Sequence, residues 1–407
     1  MPTEERGELS ERSRSRSLIS LTFLTAVVGL LVLPLCSVWV HPFAASIKSV
    51  DEHRTAHSFP PPSLLLDTSG AFAAGLNKWF DDQVGLRDLL IRTKNQIDYS
   101  LFHTSGKVFV GTDGWLFEQA TTKARLVMQR LDADRLEQLE TSFSALEKRL
   151  EAKGIRLVVI GYPDKSMTYP EYLPEQAPKI PRGGNYDKLK EFLAEQPSLI
   201  FIDVEELLKQ QKVQAEEPLF SRTDIHIGIQ GEIPVVKAIV DRIAQDASRP
   251  DVRWNENIEL RHADWGSGSE ARFLSLVWPI SERVPYIASG GYAVGDDEPG
   301  GRWNVPDPRA VDAVGSGAGL PFDFEFRSTP ERCAQLLPGM VIFGNSFSDF
   351  YWPLGLHRYF CFMRRSRTPT GRFPGFVDTI PADTKYFILQ YLASYLPGEG
   401  PSLSSRH

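Results

Sequence analysis

Ile155-Arg156-Leu157-Val158-Val159-Ile160, running on into Gly161-Tyr162-Pro163-Asp164-Lys165, reads as a buried strand that ends in a turn. The run is apolar and mostly β-branched, and the glycine and proline beyond it break the pattern. Upstream, Leu136, Leu139, Phe143, Leu146 and Leu150 recur at helical spacing, and Gly154 supplies the stop. Downstream come a helix over Tyr186 to Glu195, a strand over Leu199 to Val204, and a helix over Glu232 to Asp246. The last has Val235, Val236, Ile239, Val240 and Ile243 on its apolar side. Strands alternating with helices predict βαβ units. The expected fold class is therefore α/β, a parallel sheet flanked by helices.

The 407 residues suffice for one large domain or two smaller ones. A net charge of −7 argues against non-specific nucleic-acid binding, which needs a basic surface. Met1 to Ser17 is polar and arginine-rich, a tail that cannot form a core. Leu18 to Val40 carries no charge, and as a helix it would span about 34 Å, enough to cross a hydrocarbon core. With the arginines before it, this run predicts one N-terminal transmembrane anchor, the tail cytoplasmic and the rest outside. A cleaved signal peptide is the rival reading. Residues 41–64 are a linker that ends in Phe59-Pro60-Pro61-Pro62, and the globular domain is expected over 65–396, followed by a polar tail over 397–407.

Within the domain, Ala71 to Ser100 looks helical, and Val108 to Phe117 looks like a hairpin around Asp113-Gly114. Arg253 to Gly291 reads as strands and loops, and Asp296 to Pro321 as a long loop. Arg358 to Met363 and Lys385 to Leu389 complete the sheet. The glycines from Gly315 to Gly319 lack the lysine and flanking elements of a phosphate loop. Cys333 and Cys361 fit no zinc pattern, so no metal or cofactor is expected. The two cysteines are either buried thiols or, outside the cytoplasm, a disulfide.

Val341-Ile342-Phe343-Gly344-Asn345-Ser346-Phe347-Ser348 is a second strand-to-turn stretch, and it puts a serine where open α/β sheets place their chemistry. A turn serine alone is usually only a surface serine. Its hydroxyl needs a base, and the base needs an orienting partner. Asp224-Ile225-His226 offers both, because residues two apart in extended backbone face the same way. Two other histidines compete: His262, with Asp264 nearby, and His357, close after the serine. His226 is preferred because it precedes a helix and follows an aspartate.

Four blocks in order resemble the alginate O-acetyltransferase family of SGNH-hydrolase-like proteins. They are Val108 to Phe117, Pro163-Asp164-Lys165 with Tyr169-Pro170 and Leu173-Pro174, Asp224-Ile225-His226, and Gly344-Asn345-Ser346-Phe347-Ser348. The Asp/His pair precedes the serine, as in the permuted acetyltransferase branch and unlike ordinary SGNH esterases. The resemblance implies Ser346 as nucleophile, His226 as base and Asp224 as its orienter, with the Ser346 backbone N–H among the oxyanion donors. It implies acetyl transfer to hydroxyls of an extracellular polysaccharide, alginate-like or other. It also implies a membrane-bound O-acyltransferase as the partner that supplies acetyl groups, and a place at a bacterial inner membrane. An acetyl esterase and a non-catalytic polysaccharide-binding protein are the alternatives. Lys165, Tyr351 and Trp352 are the expected substrate contacts, although the aromatics at 350–352 would serve equally as core. Two positions depart from the family pattern: Ile227, where a tryptophan is common, and Asn345, where many members have aspartate.

Overall fold

The structure, a computed structural model, describes residues 57–393 except 67–68, 84–86, 131, 180–182, 294–299, 305–322 and 368–372, together with the helical residues 21–25 and 27–29. The expected tail over 1–17, most of the expected anchor over 18–40, the first part of the linker and the tail over 397–407 lie outside the described residues. Among the described residues, no helix is long and apolar enough to cross a membrane.

Two compact units divide the chain. The first runs to Phe102 and includes Ser275–Trp278. Two helices carry it, α1 (Ala71–Gln83) and α2 (Arg87–Phe102), where one helical stretch was expected. The returning segment is tied to α2: Arg92 donates to the Leu276 carbonyl at 2.9 Å, and the Trp278 N–H donates to Gln96 at 3.1 Å.

The second unit holds the remaining chain. Its strands are β1 (Val108–Val110), β2 (Leu116–Glu118), β3 (Arg156–Tyr162), β4 (Leu199–Asp203), β5 (Glu259–Trp265), β6 (Glu282–Ser289), β7 (Gly301–Asn304), β8 (Asp323–Ser328), β9 (Gly339–Phe343), β10 (Phe362–Ser366) and β11 (Thr384–Leu392). Its longer helices, with two short ones at the site, are α3 (Gln119–Gln129), α4 (Ala133–Glu151), α5 (Lys165–Thr168), α6 (Asn185–Glu195), α7 (Val204–Lys212), α8 (Ile229–Asp246) and α9 (Ser269–Leu274). The β1–β2 hairpin forms as expected, with Asp113 and Gly114 at positive φ in its turn.

The main sheet has the order β4-β3-β11-β9-β10-β8-β7. From β4 to β10 every pairing is parallel, with Val158 opposite Ile388 and Ile388 opposite Ile342. The expectation of a parallel sheet is corrected at one edge, where β8 runs antiparallel to β10 and β7 antiparallel to β8. That edge is only half covered, which an antiparallel pair tolerates and a parallel strand does not. β7 falls within the stretch expected to be loop; the rest of that stretch lies outside the described residues, apart from Gly300.

Successive residues of the central strands go to opposite faces. Val158, Ile160, Ile342 and Ile388 join α8 in one core, while Leu157, Val159, Val341 and Phe387 join α4 and α6 in the other. Burial on both faces explains the unbroken apolar runs of β3 and β9. Because β3, β11 and β9 are parallel, their carboxyl ends share one rim, and the serine turn leaves from it.

Candidate active site

β9 ends at Phe343, and Ser346 opens a short turn of 3-10 helix over Ser346–Ser348. The turn is capped by the residue before the serine: Asn345 Oδ1 accepts the Phe347 N–H at 3.0 Å. Its own N–H donates to Gln390 of β11 at 2.8 Å. A Cβ at Gly344 would lie 2.6 Å from the same Gln390 oxygen, so a larger residue there would push Gln390 off the Asn345 N–H. Three residues past the serine, Asp349 pairs with Arg365 of β10, both fully buried. A second cation, Arg367, reaches Asp349 at 3.5 Å.

The histidine comes from a loop that closes between Phe220 and Ile227, which form an isolated antiparallel bridge. Asp224 and His226 face the same way, as their spacing predicts. Asp224 Oδ1 accepts from His226 Nδ1 at 2.6 Å, and His226 Nε2 lies 2.8 Å from Ser346 Oγ. The carboxylate can only accept, so Nδ1 carries the proton and Nε2 presents a lone pair to the serine hydroxyl. The Asp224 carboxylate also accepts the N–H of His226 at 2.8 Å and that of Ser269 at 2.6 Å. Burial works to raise its pKa, but the His226 contact and these N–H groups win and hold it at about 2.

The rest of the loop is held by groups that sequence reading missed or placed elsewhere. Lys165, 2% exposed, donates to the carbonyls of Ser221, Arg222 and Asp224 at 3.2, 3.2 and 2.9 Å. It is ion-paired with Glu270, 1% exposed, whose other oxygen accepts the Glu118 N–H at 2.6 Å. Burial pushes the Glu270 carboxyl upward against the pull of Lys165. Glu282 of β6 accepts from the N–H groups of Arg222 and Thr223 and from the hydroxyls of Ser221 and Thr223, at 2.5 to 3.0 Å. The Ser269 hydroxyl accepts the Ile225 N–H at 3.1 Å. At Gly268 a Cβ would meet the Thr223 carbonyl oxygen at 2.2 Å, so no larger residue fits that approach.

Three expected substrate contacts are corrected. Lys165 is spent on loop carbonyls, and Tyr351 and Trp352 are fully buried, so none of them can meet a sugar ring. The competing histidines also sit apart from the serine's hydrogen bonds. His262 bonds Glu217 at 2.8 Å and not Asp264, while His357 is buried against Tyr292, Trp303 and Phe326. Cys333 and Cys361 are joined as a disulfide. Among the described residues, no group of histidine, cysteine and carboxylates could hold a metal. Beside His226 lies a cleft of about 940 Å³ between the histidine loop and the β5–β6 ribbon; His262, Trp265, Arg283 and Tyr286 are among its walls.

Residues 108–265 match a family described as an SGNH hydrolase-like domain, acetyltransferase AlgX. The match includes Asp224 and His226 and stops before Ser346. A relative named probable alginate O-acetylase AlgJ, from Pseudomonas aeruginosa, is 29% identical over 187 residues, or 44% of this chain. The match spans only 43% of that relative's length. Among solved structures, the O-acetyltransferase domain of Pseudomonas putida AlgJ is 17% identical, covering 74% of this chain and 95% of that one with a TM-score of 0.44. Bacillus cereus PatB1 is 13% identical, covering 72% and 98%, with a TM-score of 0.47. Over residues 108–265, which include Asp224 and His226, this chain is thus similar to the SGNH hydrolase-like acetyltransferase domain, and over 187 residues to a probable alginate O-acetylase.

Proposed function

We propose that this chain is an O-acetyltransferase that carries an acetyl group on Ser346 and delivers it to hydroxyls of an extracellular polysaccharide. The reading is carried by the hydrogen-bonded line from Ser346 through His226 to Asp224, at 2.8 and 2.6 Å.

Each step follows from that line. Ser346 Oγ attacks the acetyl carbonyl of the donor as its proton passes to His226 Nε2. The imidazolium so formed is stabilised by the Asp224 carboxylate. The tetrahedral intermediate collapses, the donor's leaving group departs with the proton from Nε2, and Ser346 holds the acetyl ester. A sugar hydroxyl then loses its proton to Nε2 and attacks the ester, and the proton returns to Ser346 as the serine leaves. Backbone N–H groups at the serine turn, that of Ser346 first, stabilise the oxyanion. The cleft beside His226 receives the acceptor. The acetyl group comes from a membrane-bound O-acyltransferase, and the domain works outside the cytoplasmic membrane, held by the apolar run over residues 18–40.

The test is turnover of an activated acetyl ester by the wild-type chain and by Ser346→Ala. The wild type gives an acyl-enzyme burst that mass spectrometry locates on Ser346, and the variant loses at least about a thousandfold in rate. Equal rates would remove the triad from the account. Adding an oligosaccharide acceptor then separates transfer from hydrolysis: acetylated sugar supports the proposal, and acetate alone makes the chain an esterase.

A further inference from the structure

Glu232 lies in the first turns of α8 with none of its surface exposed. Among the described residues, no salt bridge reaches it. Its Oε2 accepts from the Tyr162 hydroxyl at 2.7 Å, and its Oε1 has no hydrogen-bond partner. The Tyr162 and Tyr351 hydroxyls share a further hydrogen bond at 2.8 Å. Both tyrosines are fully buried.

These three residues stand on the elements that build the site. Glu232 belongs to the helix that begins just after His226-Ile227-Gly228. Tyr351 lies five residues beyond Ser346, and Tyr162 ends β3 on the shared rim. Phe347, next to the serine, fills the remaining gap: its ring centroid is 5.3 Å from that of Tyr162 and 5.4 Å from that of His226. An apolar trio would fill the same space with less desolvation. Hydrogen bonds add what apolar packing lacks, a fixed direction between the elements they join.

We propose that Glu232, Tyr162 and Tyr351 are positioning residues, a hydrogen-bonded strut that fixes the separation of His226 and Ser346. The strut rests on the acyl-transfer reading of the site. The groups facing Glu232 are Tyr162 from β3, and Tyr351 and Asp349 from the segment after the serine; the charge of Asp349 is paired with Arg365. Burial, opposed by the Tyr162 hydrogen bond and reinforced by Asp349, holds the Glu232 carboxyl well above the usual carboxylate range. The Tyr162 hydroxyl needs only an oxygen to donate to, and the amide of Glu232→Gln supplies one.

The experiment compares Glu232→Leu, Tyr162→Phe and Glu232→Gln in the full chain. It measures acetyl-ester turnover, the rate at which a fluorophosphonate probe labels Ser346, and thermal unfolding. The Leu and Phe variants lose about tenfold to a hundredfold in kcat and in labelling rate, with KM within about twofold. Glu232→Gln, which keeps the acceptor for the Tyr162 hydroxyl, restores both rates. Rates are read per folded molecule, so a variant that unfolds is replaced in the comparison by Tyr162→Phe, which removes a single oxygen. The strut is overturned if folded Leu and Phe variants keep wild-type rates, or if Glu232→Gln is as slow as Glu232→Leu. If Ser346→Ala matches the wild type, the triad falls and the strut with it. If Ser346→Ala is inactive while Tyr162→Phe is not slowed, the strut alone falls.

Discussion

The histidine loop and the serine turn meet at a 2.8 Å hydrogen bond, yet they are held in opposite ways. The serine turn hangs from β9 and is shaped mostly by its own residues, the Asn345 cap and the Ser348 hydroxyl on the Asn345 carbonyl, with Gln390 of the neighbouring strand β11 on the Asn345 N–H. The histidine loop runs between α7 and α8 and belongs to no strand of the main sheet. It is clasped by side chains remote in sequence, with Lys165 on its carbonyls and Glu282 and Ser269 on its N–H groups. The serine inherits its position from the sheet, whereas the histidine depends on a polar clasp in which each group satisfies another. A buried clasp of that kind is strong when complete and costly when one member is lost.

Changes on the two sides should therefore differ in kind. The largest effect belongs to the contact itself: Asp224→Asn leaves the imidazole without its acceptor, and kcat falls on the order of 10⁴-fold with the fold intact. Its stability signature has a definite sign. The folded-state pKa of Asp224 is depressed, from 3.8 to about 2, so its contribution is complete above the unfolded value and disappears as pH falls through the folded one. The stability gap between wild type and Asp224→Asn, about 2 kcal/mol at neutral pH, should thus close between about pH 4 and pH 2 in acid unfolding curves. A gap that persists at pH 2 would show that the charge of Asp224 is not what stabilises the fold.

Next comes the clasp. Lys165→Met leaves Glu270 buried without its cation and strips three carbonyls of their donor, which should cost about 3–5 kcal/mol in denaturant unfolding. A Lys165→Met chain as stable as wild type, with only KM raised, would return Lys165 to the cleft as a substrate contact. Glu282→Gln keeps the shape and loses the charge that serves two N–H groups and two hydroxyls. The expected cost is about 1–3 kcal/mol, with kcat reduced more than KM. The smallest effect is on the serine side. Asn345→Asp still offers an oxygen to the Phe347 N–H, so stability should stay within about 0.5 kcal/mol. A large loss there would mean that the serine turn depends on more than its own cap.

The same contrast governs what the sequence made legible. The strands, the parallel core of the sheet and the strand-to-turn serine follow from local pattern, and so does the facing of Asp224 and His226. The antiparallel edge was missed because β7 is short, half-exposed and set among glycines and prolines that read as loop. Glu270, Glu282 and Ser269 were missed because nothing within Arg253 to Gly291 distinguishes a carboxylate that grips backbone from one that faces water. Lys165 reads as a substrate contact for a related reason: a lysine after a strand looks the same whether its ammonium points outward or inward. Tyr351 and Trp352 read equally as sugar contacts and as core, and the structure puts both inside.

The Cys333–Cys361 bond gives the serine side a property the histidine side lacks. Those residues stand 28 apart, and the span between them carries β9, the nucleophile and the turn that aims it. The nucleophile therefore sits inside a covalently closed ring of chain. By loop-entropy reckoning, ring closure makes the unfolded state less favourable by about 3–4 kcal/mol. That contribution exists only where an oxidant maintains the bond. A copy of this chain held in a reducing compartment would keep every hydrogen bond described above and lose the ring, so the durability of the nucleophile's setting depends on where the protein is delivered.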